Sequence, residues 1–494
     1  MITWGWSGIS HDASLAIFDD KQLVFASHSE RYSRIKNDEY LNYELIEDAL
    51  QYGHPDEIHF YERPLLKKTR QLYSGQYNLL LSESPQSHLR KFGINVKFKF
   101  SSHHKSHAAA GYYTSSFKDA AILCLDSIGE WETFTIWHGK NNNLNKIYSQ
   151  SYPNSVGLWY SAMTQRLKLK PQEHEYILMG MAALGDYQKY YKDIKTDFFK
   201  KFPNSKDPSV LFKQNLHKGC LSWKPNLKSE QDYYDIAAAT QKIYEEIFEN
   251  ILIWMKSNIH SSNLVLMGGC ALNCVANSLS FNHYNDVWIM PNPGDAGSAI
   301  GCVLSNWNEH IEFSGAYLGH NIEGRYPIDN IIKKLESDKI TAVASGKSEF
   351  GPRALGNRSI LADPRGKTVK DRVNKIKHRE PFRPFAPVIL EEYVSEYFDV
   401  KKNFKSPYMQ YTVKCLNPKK FSAIVHYDNT SRVQTVNKKD HLELYKLLSI
   451  WYKKTGCPML LNTSLNIKGE PLVNTKEDAL RWSKKYGVEI CLPS

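Results

Sequence analysis

Long apolar runs are missing from this 494-residue sequence, and none approaches the roughly 18 consecutive residues that a membrane-spanning helix requires. The first residues, MITWGWSG, have neither the basic start nor the apolar core of a secretory signal. Eight cysteines, at positions 124, 220, 270, 274, 302, 415, 457 and 491, form no Cys-x-x-Cys pair. That argues against a zinc ribbon or a disulfide framework, so they read as reduced, mostly buried thiols. Together these absences predict a soluble, cytoplasmic protein without a membrane partner. Acidic residues run short in one place: between Lys347 and Arg383 four acids face eleven Lys/Arg, a local +7 within a net charge of +11. The remaining +4 is too little for a dedicated nucleic-acid face. The basic segment itself reads as a solvated face, a nucleic-acid patch or a phosphate pocket, and its interleaved Gly, Pro and Phe argue against the first.

What is present centres on SSHHKSHAAAGYYTSSFKDAAILCLDSIGE, residues 101–130. His103 and His107 are four apart beside Ala108, Ala109 and Ala110, so a helix stacks both imidazoles on one face. That is the geometry of a two-histidine metal clip, although a His-x-x-x-His pair is equally common as hydrogen-bonded surface or core groups. The apolar run Ala120 to Leu125 predicts a buried strand with Asp126 at its end and a Ser-Ile-Gly turn behind it. Farther on, PNPGDAGSAIG sets Asp295 between glycines ahead of a small-residue helix. Asp295 is therefore a candidate fourth ligand beside His103, His107 and Asp126, a set that suits Fe(II), Mn or Zn without selecting one.

Residues 2–28 read as strand, loop, strand, Asp-Asp-Lys turn and strand, with Ser10, His11, Asp12 and Ser14 in the loop. Residues 119–150 repeat the plan, with Asp126, Ser127 and Gly129 in the loop and GKNNN at the second turn. Two such units, each followed by helices, predict a duplicated α/β fold of the actin-like (ASKHA) plan. Helices are expected at 40–52, 85–92 and 235–259, and a strand at 57–61. NLVLMGGCALNCVANS predicts a strand running into glycines and a helix whose first N–H groups are free for an anion. The polar stretch 186–232 reads as a surface insertion. Past a boundary near His320 to Asp329, the strand KITAVAS opens a C-terminal third with the basic loop GKSEFGPRALGNRSILADPRG. Arginines on Gly- and Pro-rich turns suit bidentate phosphate recognition, and Asn462, Thr463 and Ser464 at a strand end suit a nucleotide or carbamoyl group.

Ten ordered blocks carry a resemblance over nearly the whole chain: ISHDASLAIF, HHKSHAAAG, LDSIGE, EYILMGMAALG, GGCALNCVANS, PNPGDAGSAIG, EFGPRALGNRSILADPR, HREPFRPFAP, HYDNTSRVQTV and LLNTSLNIKGEP. They resemble the NodU/CmcH family of ATP-dependent O-carbamoyltransferases. The resemblance implies a TsaD-like metal and transfer domain of the actin-like class over residues 1–325. It implies a C-terminal α/β YrdC-like domain over 326–494. In such enzymes the C-terminal domain cleaves carbamoyl phosphate and joins the carbamate to ATP, releasing pyrophosphate; the carbamoyl-adenylate then meets an acceptor hydroxyl in the TsaD-like domain. Carried over by position, the metal ligands are His103, His107, Asp126 and Asp295, with His104 a decoy on another helix face. His11 is the candidate general base and Lys36 a charge stabiliser. Arg353, Lys377, Arg383, Arg432, Asn462 and Ser464 match the carbamoyl phosphate and adenylate pocket. ATP implies Mg2+, and the divalent metal of the tetrad is expected to be Fe2+, with Mn2+ or Zn2+ as alternatives.

Two positions depart from the family pattern: Ile177 stands where lysine is common, and Lys347 where arginine is usual. The acceptor stays open between a sugar or antibiotic hydroxyl and a hydroxymethylated pyrimidine in a nucleotide or DNA, and the oligomeric state between monomer and homodimer. Competing readings are threonylcarbamoyl-tRNA-type N-transfer, against which the GPRALG-type C-terminal third argues, and a non-enzymatic ATP-binding chaperone or regulator, which would need neither the metal set nor the NTSLN block.

Overall fold

The computed structural model describes residues 1–380 and 382–494. The chain divides into two compact units: Met1–Ile9, Leu15–Leu23 and Gly53–Phe313 form the first, and Ser10–Ser14, Val24–Tyr52 and Ser314–Ser494 the second. The sequence places the break at 325/326; in the structure the chain passes into the second unit after Phe313, and two N-terminal segments belong there as well.

Two five-stranded sheets organise the first unit, although Val24–His28 of the first sheet's outermost strand is counted with the second unit. One has the order β3-β2-β1-β4-β5, built from β1 (Ile2–Ser7), β2 (Ser14–Asp19), β3 (Gln22–His28), β4 (Glu57–Phe60) and β5 (Lys97–Phe100). The other has the order β12-β11-β6-β7-β8, with β6 (Asp119–Gly129), β7 (Glu132–Lys140), β8 (Asn143–Ser151), β11 (Asn263–Met267) and β12 (Asp286–Trp288). The short pair β9 (Phe199–Lys201) and β10 (Leu211–Phe212) lies within the stretch read as an insertion. In each large sheet a central strand, β1 or β6, is followed outward on one side by the next two strands of the chain. On the other side a later strand joins in parallel, β4 on β1 with Trp4 opposite Ile58, and β11 on β6 with Leu266 opposite Leu123. The duplication predicted from the repeated strand-turn-strand pattern is therefore present as repeated topology.

The histidine helix His103–Thr114 is buried along almost its whole length, as an Ala-rich helix without a polar face should be. Against it lies the helix Ser298–Trp307, which follows Asp295. Gly301 makes that approach possible: a Cβ there would stand 1.9 Å from the Ser106 carbonyl oxygen. The helix Pro64–Tyr73 is turned inside out, burying Lys67, Arg70 and Gln71 while Leu65, Leu72 and Tyr73 are 81%, 55% and 70% exposed.

The second unit is built on a six-stranded sheet of order β20-β17-β21-β16-β14-β22. Its strands are β14 (Ile340–Ala344), β16 (Arg358–Ala362), β17 (Ala386–Leu390), β20 (Gln434–Val436), β21 (Met459–Ser464) and β22 (Ile490–Cys491). Helices Ile328–Asp338 and Leu442–Thr455 pack on it through Ile331, Leu335, Leu447 and Trp451, which meet Val343, Leu361, Val388 and Leu460. Smaller antiparallel pairs are β13 (Tyr317–Ile322) with β15 (Gly346–Glu349), and β18 (Thr412–Lys414) with β19 (Thr430–Arg432).

The expected helices fall at Tyr43–Leu50, Pro85–Arg90 and Glu230–Asn258, and the strand expected at 57–61 is β4. Two local expectations change. Asp126 and Ser127 lie within β6 rather than in a loop, because the strand continues past a register shift between Leu125 and Gly129 before turning into β7. After β11 the chain makes a 3-10 turn, Gly269–Leu272, and only a four-residue helix, Cys274–Asn277. Among the described residues, no helix is long and apolar enough to cross a membrane, and all eight cysteines are free, seven of them buried.

Candidate functional site

One turn of the histidine helix brings the Nε2 atoms of His103 and His107 to 3.1 Å from each other. Asp126 Oδ2, from β6, lies 3.4 Å from His103 Nε2 and 3.7 Å from His107 Nε2. Asp295 Oδ1 is 3.3 Å from both. The four residues thus offer donor atoms that all lie within 4.8 Å of one another. Two ring N–H groups cannot face each other across 3.1 Å, so at most one of these nitrogens carries a proton. Two neutral imidazoles and two carboxylates sum to −2, which a divalent cation neutralises, and the N/O donor set suits Fe(II), Mn(II) or Zn(II).

The electrostatics of the bare cluster point the same way. Burial opposes a charge on His103, yet Asp295, Asp126 and Glu62 outweigh it and hold its pKa well above the ordinary value. Burial opposes the charge on Asp126 too, and the two imidazoles hold its carboxyl well below the usual range. A cation would replace the protons that this field demands.

Outer contacts fix the ligands. His107 Nδ1 meets Ser298 Oγ at 3.1 Å, which aims its Nε2 at the cluster. Asp126 Oδ1 accepts from the Gly269 backbone N–H at 3.1 Å, so the glycine pair read as an approach for an external anion holds the chain's own carboxylate instead. Glu62 Oε2 stands 3.6 Å from His103 Nδ1, and its other oxygen accepts from Lys67 Nζ at 2.5 Å. Arg63 pairs with Glu130 at 2.6 Å, and Arg70 Nε donates to the Glu130 carbonyl. Of the inside-out helix, buried Lys67 thus holds the Glu62 that faces His103, and buried Arg70 holds the Glu130 backbone. His104 points elsewhere: its Nδ1 meets Thr135 Oγ1 at 2.9 Å, and burial, with His103 beside it, lowers its pKa to about 3.

In the second unit, Lys36 Nζ is held by both oxygens of Glu30, at 2.9 and 2.7 Å. His11 lies on the loop Ser10–Ser14 of the same unit, next to Asp12, whose Oδ1 meets His28 Nδ1 at 3.0 Å. Burial opposes the Asp12 charge, but His28, His11 and Lys36 all favour it and bring its pKa to about 2. His11 and Lys36 thus both favour the charged form of Asp12, while Lys36 itself pairs with Glu30.

Of the expected anion pocket, Lys377 and Ser464 meet directly. Lys377 Nζ donates to Ser464 O at 2.5 Å and Oγ at 2.9 Å, and to Asn466 O at 2.6 Å. Burial, then Arg379 and Arg383, push its pKa well below the usual lysine value. Asn462 Nδ2 donates to the Ala354 carbonyl at 3.1 Å, tying β21 to the turn that carries Arg353, and to Gln434 Oε1 at 2.7 Å. Arg383 reaches Glu380 at 3.3 Å, and Arg432 sits on β19 opposite Thr412. Of the departures from the family pattern, Ile177 is buried in the helix Glu175–Met181, and Lys347 Nζ donates to the Val24 carbonyl at 3.3 Å.

A two-unit α/β chain with a buried His2Asp2 cluster in one unit and Lys377 bonded to Ser464 and Asn466 in the other matches two family models. The carbamoyltransferase N-terminus covers residues 70–304 and the carbamoyltransferase C-terminus residues 332–492. A Synechocystis protein, sll1178, is 33% identical across 97% of this chain and 93% of its own length. Nodulation protein NolO of Bradyrhizobium diazoefficiens is 30% identical across 76% of this chain and 75% of its own. The 3'-hydroxymethylcephem-O-carbamoyltransferase of Amycolatopsis lactamdurans is 28% identical across 97% and 95%. Among solved structures, full-length HypF matches at 11% identity with a TM-score of 0.35, covering 62% of this chain and 54% of that one, a likeness too weak to carry the fold or a ligand. The chain belongs to the NodU/CmcH family of carbamoyltransferases, and it is an enzyme of that class.

Proposed function

We propose that this carbamoyltransferase makes carbamoyl-adenylate from carbamoyl phosphate and ATP and transfers the carbamoyl group to an acceptor hydroxyl. The observation that carries the reading is the convergence of His103, His107, Asp126 and Asp295 in the first unit, apart from the Lys377–Ser464 cluster of the second. We assign transfer to the actin-like residues 1–325, which carry the tetrad, His11 and Lys36, and adenylate formation to the YrdC-like residues 326–494.

Water attacks carbamoyl phosphate, which gives carbamate as phosphate leaves; a carbamate oxygen then attacks the α-phosphorus of ATP, and pyrophosphate leaves. Lys377, Arg353, Arg383 and Arg432 are assigned to hold the phosphate groups, with Asn462 and Ser464 positioning the carbamoyl end. Positive charge placed there stabilises both anionic leaving groups. ATP would bring Mg2+. In the second half-reaction the acceptor oxygen attacks the carbamoyl carbon, AMP leaves, and the hydroxyl proton passes to a base, for which we assign His11. Asp12 orients the loop beside it, and Lys36 supplies positive charge near the same carboxylate. A divalent cation, Fe2+ by our reading, held by the tetrad would supply Lewis-acid polarisation of an oxygen. The acceptor class extends from sugar or antibiotic hydroxyls to hydroxymethylated pyrimidines.

The test is His107→Ala with two readouts. Carbamoyl phosphate-dependent pyrophosphate release should persist, while mass spectrometry of a panel of aminoglycosides, chitooligosaccharides and hydroxymethylpyrimidine nucleotides, each able to gain one carbamoyl group, should show transfer abolished. Equal loss of both activities would sink the division of labour.

A further inference from the structure

Arginines buried in protein cores normally have their donors matched by carbonyls or carboxylates, because an unmatched N–H away from water is costly. The second unit supplies its own standard. Arg358, fully buried, donates to the carbonyls of Asn474, Ser345, Gly346, Asn357 and His320. Arg34 donates to the carbonyls of Arg31, Leu472 and Pro471 and lies 3.8 Å from Asp478. Arg379 donates to Asn374 Oδ1 and to the Arg383 and Pro384 carbonyls while covering the Phe385 ring at 3.9 Å. These three guanidinium groups act as struts.

Arg31 breaks the pattern. It is 2% exposed, and its Nη2 donates to the Gly351 carbonyl at 2.6 Å. Its Nε and Nη1 find no hydrogen-bond acceptor among the described residues. Glu30 is its nearest counter-charge, with Oε1 at 3.8 Å from Nε, beyond hydrogen-bond reach, and that carboxylate already receives Lys36 and the Asn37 N–H. Gly351 opens the turn that carries Arg353, and Glu349 Oε1 holds the far side of the same turn by accepting from the N–H groups of Leu355 and Asn357 at 2.7 and 2.9 Å. Glu349 Oε2 is likewise buried and without a partner among the described residues. Arg31 also belongs to a crowd of cations: burial first, and Arg31 among its neighbours, bring Arg358 down to about 10. Arg31 is thus a buried cation with two open donors beside a turn whose Leu355, Gly356 and Asn357 N–H groups already have acceptors.

We propose that Arg31 is a phosphate-binding residue of the second unit, its open Nε and Nη1 donors taking phosphoryl oxygens of a substrate bound at the Gly351–Gly356 turn. This inference rests on the reading that the second unit binds carbamoyl phosphate and ATP. Arg31 comes from the N-terminal segment Val24–Tyr52, so the anion site is built from both ends of the chain. Carbamoyl phosphate and ATP offer the same chemistry to a guanidinium, and the kinetics separate them.

The experiment measures pyrophosphate release by the full-length enzyme while carbamoyl phosphate and ATP are varied in turn, for wild type, Arg31→Gln, Arg31→Lys and the strut variant Arg34→Gln. Loss of charge-assisted hydrogen bonds should raise KM for one of the two substrates roughly ten- to a hundredfold in Arg31→Gln, and the affected substrate identifies the phosphate. Arg31→Lys, which keeps the charge but not the planar fork, should fall between. Inorganic phosphate should raise the melting temperature of wild type and fail to raise that of Arg31→Gln. Arg34→Gln should lower the melting temperature and leave both KM values within about twofold. Unchanged KM values and an unchanged phosphate response in a folded Arg31→Gln would overturn the inference. Absence of substrate-dependent pyrophosphate release in wild type would instead refute the functional reading beneath it.

Discussion

Gly301→Ala tests whether the candidate metal centre depends on how closely two helices approach. The added methyl would stand 1.9 Å from the Ser106 carbonyl oxygen and 2.8 Å from Ala110 Cβ, whereas ordinary contact begins at 3.4 Å. The helix Ser298–Trp307 and the histidine helix must therefore part by about 1.5 Å at the residue before His107. Stability is a poor readout: overpacking costs about 1–3 kcal/mol, and exchanging a mid-helix glycine for alanine returns up to about 1 kcal/mol. Metal affinity is sharper, because donor distances tolerate only about 0.2 Å. The displacement carries His103 and His107 away from Asp295 and Ser298, so at least one donor is lost. Disturbing outer contacts alone typically costs 10- to 100-fold, so the affinity should fall by more than about 100-fold. Titration of metal-stripped protein with Fe(II), Mn(II) or Zn(II) against a chromophoric chelator reads this directly, with His107→Ala marking the floor. Pyrophosphate release should continue. A folded Gly301→Ala that binds metal within threefold of wild type would refute the reasoning.

Two further outcomes are expected. Ser298→Ala removes the group that meets His107 Nδ1 at 3.1 Å and should weaken metal binding by roughly 10- to 100-fold in the same titration, with the melting temperature of the metal-free protein little changed. His441 accepts the Leu444 N–H at its Nδ1, capping the helix Leu442–Thr455, and its Nε2 meets Asn357 Oδ1 at 2.8 Å, so the ring must be neutral. Burial lowers its pKa to about 4. Since the unfolded chain then takes up the proton first, this contribution is intact above about pH 6.5 and is lost as the pH falls toward 4, by about 2 kcal/mol at pH 5. Thermal melts between pH 7 and 5 should show that loss, reduced in His441→Asn, which keeps a capping oxygen; identical pH slopes would count against the assignment.

Much of this architecture was legible because it is written in local pattern. Alternation and turn chemistry placed β1 to β3 and β6 to β8, and the i, i+4 spacing of His103 and His107 placed both rings on one face. Asp126 was found from its position at the end of an apolar run, but the bulge that keeps it inside β6 depends on pairing with β7, which periodicity does not encode. Glu62 and Ser298 were missed, although each follows a readable element: Glu62 lies just beyond the C-terminal end of parallel β4, where open α/β sheets place their sites. The helix Pro64–Tyr73 defeats hydropathy altogether, because Lys67 is buried by pairing with Glu62 and Arg70 by donating to the Glu130 carbonyl rather than by apolar packing. Arg31 looked like any other cation of a basic chain; only the saturation of its neighbours by carbonyls distinguishes it.

The interleaving of the second unit has a consequence for how the protein is made. Arg31 leaves the ribosome 320 residues ahead of Gly351, and Arg34 438 residues ahead of Leu472. At roughly 5–20 residues per second, the N-terminal turn waits on the order of half a minute for its first carbonyl partner and longer for its second. During that interval the first unit can finish folding around its own sheets, while Arg31, destined for burial, and the half-buried Arg34 stay hydrated. Completion of the second unit is thus tied to synthesis of the last strands, and a gene fragment beginning at Ser314 would encode an incomplete body however stable its six-stranded sheet.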